Sequence, residues 1–138
     1  MSIDKNVVSL DLAKQLVEVG ITDKSKFIFC WAEVCTGEKD EIGSYKWEYR
    51  VIKDDFQALN ERIPAPLASE LGEVLPLYLK EDAARGVSFS VEADGLWMHK
   101  TYDNRGWVVG YGARSESAAT IPNAMAKLLI YLKKEGLI

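Results

Sequence analysis

The chain is poor in the residues on which metal and redox chemistry depend: one histidine and two cysteines among 138 residues. His99, Cys30 and Cys35 cannot form a Cys-x-x-Cys pair, a His-x-x-x-His pair or a zinc set of three nitrogens and sulfurs. No metal centre or cofactor is expected. An extended segment of five residues spans about 16 Å, which places Cys30 and Cys35 beyond disulfide reach. Both are expected to be buried free thiols.

No apolar run approaches the roughly 20 residues that span a bilayer, and MSIDKNVVSLDLAK has no basic stretch followed by an apolar one. A protein without membrane association, working in the cytosol (the host's, if a phage encodes it), is the expectation. Positive charge is also scarce, with 17 Lys and Arg against 21 Asp and Glu, for a net charge of −4. That balance argues against a nucleic-acid partner, because a phosphate backbone meets no basic cluster beside the aromatic rows. Phosphate cradles of the GxxxxGK[ST] and GxGxxG types are missing, and Gly110-Tyr111-Gly112 leads into ARSESAAT, with no glycine-bearing helix start. Glu38, Asp40 and Glu41 share one loop but lack the spacing of a calcium loop, so they read as a solvated turn.

What remains is a single domain, 1–138, long enough to bury about 68% of its unfolded surface without staples. Leu12, Ala13, Leu16 and Val17 lie on one helical face after a Ser9 cap, and Gly20 stops that helix. KFIFCWAEVC (26–35) is apolar on both alternating sets, the pattern of a strand covered on both faces, central or packed at an interface. SYKWEYRVI (44–52) alternates Tyr45, Trp47, Tyr49 and Val51 with Lys46, Glu48 and Arg50, which predicts one dry face and one wet face. Residues 54–63 read as loop. Pro64 and Pro66 lead into a short helix with Leu67, Leu71, Val74 and Leu75 inward, ended by Pro76.

Asp94-Gly95 signals a hairpin that pairs Val91 with Met98 and Phe89 with Lys100. A second turn at Asn104-Arg105 would set Met98 against Tyr111 and Lys100 against Val109, with Gly110 and Gly112 making room for the rings of His99 and Trp97. Thr120, Pro122 and the stripe Ile121, Met125, Leu128, Leu129 and Leu132 mark the closing helix, with Lys133, Lys134 and Gly136 at its end. The fold expected is α+β, in the order α-β-β-α-β-β-β-α: an antiparallel sheet of about five strands with helices packed mainly on one face.

Catalytic constellations are thin. Ser90 shares a face with His99, and Asp103 or Glu92 could orient the imidazole, but a flat strand supplies neither a nucleophile elbow nor oxyanion donors. The expectation is a protein that is not an enzyme. Trp97 stands out because its face, shared with His99 and Thr101, needs no helix to cover it. With Arg105 at the adjacent turn and Tyr111 nearby, it defines a candidate surface for a protein partner or for self-association. The alternative is a small-molecule binder or minor enzyme with a pocket between the sheet and residues 36–63, contacted by His99, Arg105 or Tyr111.

Three segments, VVSLDLAKQLVEVGI, PLASELGEVLP and NAMAKLLIYLKKEGLI, together resemble a family of small proteins of bacteriophages, prophages and other mobile elements. In that family, helices of the type SLELAKKLKELG, ELGEMLP and AKMLIYLxxxxLI recur in this order. The resemblance implies a shared arrangement of helices and a phage-type origin. The family has no assigned activity, so no site residue carries over.

Overall fold

The computed structural model describes residues 5–21, 27–53, 62–76 and 95–138. Among these, the chain is α+β, with three helices and two three-stranded antiparallel sheets. The order is helix α1 (Leu10–Glu18), strands β1 (Phe29–Lys39), β2 (Tyr45–Lys53) and β3 (Ile63–Pro64), helix α2 (Ala68–Val74), strands β4 (Leu96–Lys100), β5 (Trp107–Tyr111) and β6 (Arg114–Ala118), and helix α3 (Ile121–Lys134).

The expected single sheet of about five strands is therefore corrected to two, ordered β2-β1-β3 and β4-β5-β6. Two short segments account for the difference. Ile63–Pro64 pairs with Trp31 and Cys30, so β1 gains its second neighbour from residues that read as loop. Arg114–Ala118 pairs along β5, because Gly112, at φ +56°, lets the chain reverse within a Gly-Ala turn. The strand expected at 87–93, with Ser90 and Glu92, lies outside the described residues.

Helix α3 organises the core. The Thr120 hydroxyl accepts the Asn123 N–H at 3.4 Å, Pro122 sits in the first turn, and Gly136 ends the helix at φ +70°. Met125, Leu128, Leu129 and Leu132 are buried as the stripe requires, and Val109 and Tyr111 of β5 join the same cluster. Helix α1 adds Ala13 and Leu16. Ser9 occupies its N-cap position without a side-chain cap bond; its N–H instead donates to Asn123 Oδ1 at 2.8 Å, tying the starts of α1 and α3 together.

Three backbone and indole bonds attach the first sheet to this core. Val8 N–H donates to Pro66 O (3.0 Å), Ala65 N–H to Phe29 O (3.0 Å) and Trp31 Nε1–H to Val8 O (2.8 Å). The Glu70 carboxylate adds a fourth link, accepting N–H groups from Leu67 (2.8 Å) and Ile28 (3.1 Å), so the first turn of α2 holds the entry of β1.

The second hairpin forms in a register displaced by two residues from the expected one. Met98 lies opposite Val109 and Lys100 opposite Trp107. The cause is the turn: Thr101 N–H donates to Gly106 O at 3.0 Å, and Asn104 sits at φ 60° in a loop longer than Asn104-Arg105 alone. A shift of two preserves the faces. Met98 and Tyr102, expected on the apolar face, are nonetheless exposed: α3 packs on β5 and β6, and β4 meets the core cluster at its start, through Leu96.

Candidate functional site

Strand β1 is central, as its sequence suggests, but only its first half is in the core. Cys30 and Ala32 are buried, whereas Glu33, Cys35 and residues 37–39 are exposed. Cys35 is therefore a surface thiol, contrary to expectation, while Cys30 is the buried one. A register shift between Cys35 and Lys39, with Gly37 at φ +80°, carries β1 beyond its anticipated end and projects it with β2 as a ribbon.

The face of β2 predicted to be dry is largely wet. Tyr45 is 55% exposed, Trp47 56% and Tyr49 37%, so exposure falls only as the strand returns toward α1. Trp31 lies opposite Val51, Glu33 opposite Tyr49 and Cys35 opposite Trp47, which puts the aromatic row on the Trp31 side of the sheet. Two cations accompany it. Lys14 Nζ of α1 lies 5.4 Å from the Tyr49 ring centre and Lys39 Nζ 5.3 Å from that of Tyr45. Lys46, Glu48 and Arg50 occupy the other side, where the Arg50 guanidinium pairs with the Glu48 carboxylate.

The ribbon's tip is built by one carboxylate. Asp40 Oδ1 accepts N–H groups from Ile42 at 3.0 Å and Ser44 at 2.9 Å, and Gly43 adopts φ +85°. Ile42, 87% exposed, projects from that turn. Such a surface is flat and offers rings, cations and one aliphatic tip. Its chemistry suits contact with another protein surface, in which aromatic side chains dominate the binding energy.

The residues singled out from sequence fall into three places. Trp97 and His99 come together: their rings stack at 5.0 Å with planes 9° apart. Trp97 is half-buried over Gly110, its cross-strand partner, and its indole N–H donates to Gly112 O at 3.2 Å. A Cβ on Gly110 would stand 2.9 Å from that indole and 2.3 Å from Arg114 O, so the glycine does make room for a ring, with Trp97 in the place expected for His99. His99 is exposed, and its Nδ1–H donates to Lys100 O at 2.9 Å.

Arg105 lies apart, exposed in the β4–β5 turn. Asp103 serves that turn. It accepts the Thr101 hydroxyl (2.6 Å) and the Arg105 N–H (3.1 Å), and these bonds, Thr101 first, hold its carboxyl below the usual range. Tyr111 is in the core, 2% exposed, with its hydroxyl donating to Pro76 O. Burial pushes its phenol up to about 12. The set thus reduces to a Trp97–His99 surface patch, a turn residue and a core residue. The pocket considered beside residues 36–63 involves positions 54–61, which lie outside the described residues. Among the described residues, one open groove of about 320 Å³ lies at Lys5, Trp107 and Thr120, and another of about 230 Å³ at Thr101, Asp103 and Arg105.

Sequence reasoning passed over Tyr45, Trp47 and Tyr49 as a surface because alternation separates two faces without saying which is covered. A signal was present in the partner strand. A hairpin closed near Asp40 must set Trp47 and Tyr45 against the end of β1, where the sequence turns polar as TGEK. Comparison with protein-family models, with curated proteins and with solved structures found no match.

Proposed function

We propose that the chain is a non-enzymatic protein-binding module, an accessory protein of the phage or prophage type, which meets its partner through the aromatic face of β2. One observation carries this reading: Tyr45, Trp47 and Tyr49 stand in a row on an outer strand, with Tyr45 and Trp47 each more than half exposed. Isolated surface aromatics are ordinary, but three in register on one strand form a contiguous apolar stripe of the kind that interfaces use. The Trp97–His99 patch is smaller, and its indole is already seated on Gly110.

The test compares the unaltered chain with a Tyr45→Ser/Trp47→Ser variant and a Trp97→Ala variant. Light scattering reports self-association, and affinity capture from host lysate reports heterologous partners. Bound mass lost in the β2 variant and kept in Trp97→Ala is expected. A chain that stays monomeric and captures nothing that the β2 variant loses refutes the reading.

A further inference from the structure

The outer edge of β2 has a self-complementary sequence, and we infer that a second copy of this chain pairs with it, antiparallel about a two-fold axis at Tyr49, to make one six-stranded sheet. The inference rests on the protein-binding reading above and names the partner.

Strand β2 is the outermost strand of its sheet among the described residues, and beyond the two residues of β3 the ribbon is only two strands wide. Two-stranded ribbons are marginal in water, and an outer strand is a template on which another chain can pair. Proteins commonly blunt such an edge by shortening it, by placing proline in it or by charged side chains, lysine above all; the charges of β2, Lys46, Glu48, Arg50 and Lys53, are of both signs. Here β2 runs nine residues, YKWEYRVIK, with no proline.

A two-fold axis perpendicular to the sheet keeps each face on its own side, so residues opposite one another must share a face. This restricts the allowed registers. Centring on Glu48 sets Glu48 against itself and Lys46 against Arg50, which is repulsive. Centring on Arg50 sets Arg50 against itself. Centring on Trp47 opposes Lys46 and Glu48 but leaves residues 50–53 without a strand partner. Centring on Tyr49, the midpoint of Tyr45–Lys53, pairs the entire strand. Glu48 then lies opposite Arg50 of the second copy, and the reverse, while Trp47 faces Val51 and Tyr45 faces Lys53. Cross-strand pairs of opposite charge stabilise an antiparallel ladder, and like charges weaken it. The aromatic rows of both copies become one surface on the same side of the joined sheet.

The charges supply the experiment. Glu48→Arg gives a chain with two arginines at positions 48 and 50; Arg50→Glu gives one with two glutamates. Each alone places like charges opposite each other in the Tyr49-centred register, and each also breaks the Glu48–Arg50 pair within the chain. Sedimentation velocity should show wild-type dimers, about tenfold or more weaker dimerisation for each variant alone, and recovery when the two are mixed in equal amounts. Mixing restores charge complementarity only between copies, so a fold weakened within each chain would not recover.

Hydrogen exchange on the unaltered protein provides a second, mutation-free measurement. Amides within residues 45–53 should exchange more slowly as protein concentration rises. Three results overturn the inference: a wild-type chain that remains monomeric at millimolar concentration, an Arg50→Glu variant that still dimerises fully, or β2 amides whose exchange is independent of concentration. If the chain is monomeric yet captures a different protein through Tyr45 and Trp47, self-pairing falls while the protein-binding reading stands.

Discussion

Two antiparallel hairpins of similar composition meet opposite fates in this molecule. In β4–β5–β6, the central strand carries Val109 and Tyr111 into the core beneath the 14-residue α3. In β1–β2, a comparable row of Tyr45, Trp47 and Tyr49 is left in water. Aromatic content does not separate the two. The difference lies in what is laid over them: α3 packs on β5 and β6, whereas among the described residues α1 reaches the ribbon through the Lys14 side chain at Tyr49. An apolar strand face is buried only over the length that a neighbouring element can cover, and the excess becomes available as an interface.

The strongest way to sharpen that contrast is to damage the covered sheet. Leu129→Ala removes a fully buried side chain of α3 and should cost about 3 kcal/mol in chemical denaturation. A loss under about 1 kcal/mol would mean that the covered sheet is no better packed than the open one. Gly110→Ala comes next. The new methyl group meets the Arg114 carbonyl and the Trp97 ring, so about 2 kcal/mol of destabilisation is expected from the same titration.

Tyr111→Phe is smaller, about 1 kcal/mol at neutral pH, for loss of the hydroxyl bond to Pro76 O. It also changes the alkaline limb. The folded phenol is pushed from 10.0 to about 12, so the unfolded chain ionises first. The contribution of Tyr111 is therefore complete below pH 10 and lost as pH rises toward 12. Subtracting the variant's stability–pH curve from that of the wild type should isolate that fall, and parallel curves would place Tyr111 in water like the β2 tyrosines. The smallest effect on stability belongs to Tyr45→Ser/Trp47→Ser, within about 0.5 kcal/mol for the folded monomer, since both side chains are more than half exposed. A large loss there would show that the row is held by the chain's own core.

Helices were the most legible part of the sequence. Period, cap and stop signals coincide at Leu10–Glu18, Ala68–Val74 and Ile121–Lys134, and all three form close to where those signals place them. The sheet was legible as strands and faces but not as topology. Ile63–Pro64 is too short to carry a period, and RSESA has no apolar alternation to betray β6, although Gly112 marked its turn. Register depended on loop length, which the hydroxyl and carboxylate of Thr101 and Asp103 fix through bonds that no hydrophobic pattern encodes. Of the candidate site, Trp97 and His99 were rightly placed side by side. The expected register set Tyr111 on the apolar face with Met98, and Tyr111 is buried there; its candidacy as a contact at a binding surface did not follow from that face.

The division between the two thiols has a practical consequence. Cys30 is shielded and Cys35 is open, directly across from Trp47. A maleimide dye added to the native chain should therefore attach at one position only, on the side of the ribbon that bears the rings. Its emission would respond whenever anything settles on that side, so the molecule comes with an attachment point for watching its own encounters without any engineered residue.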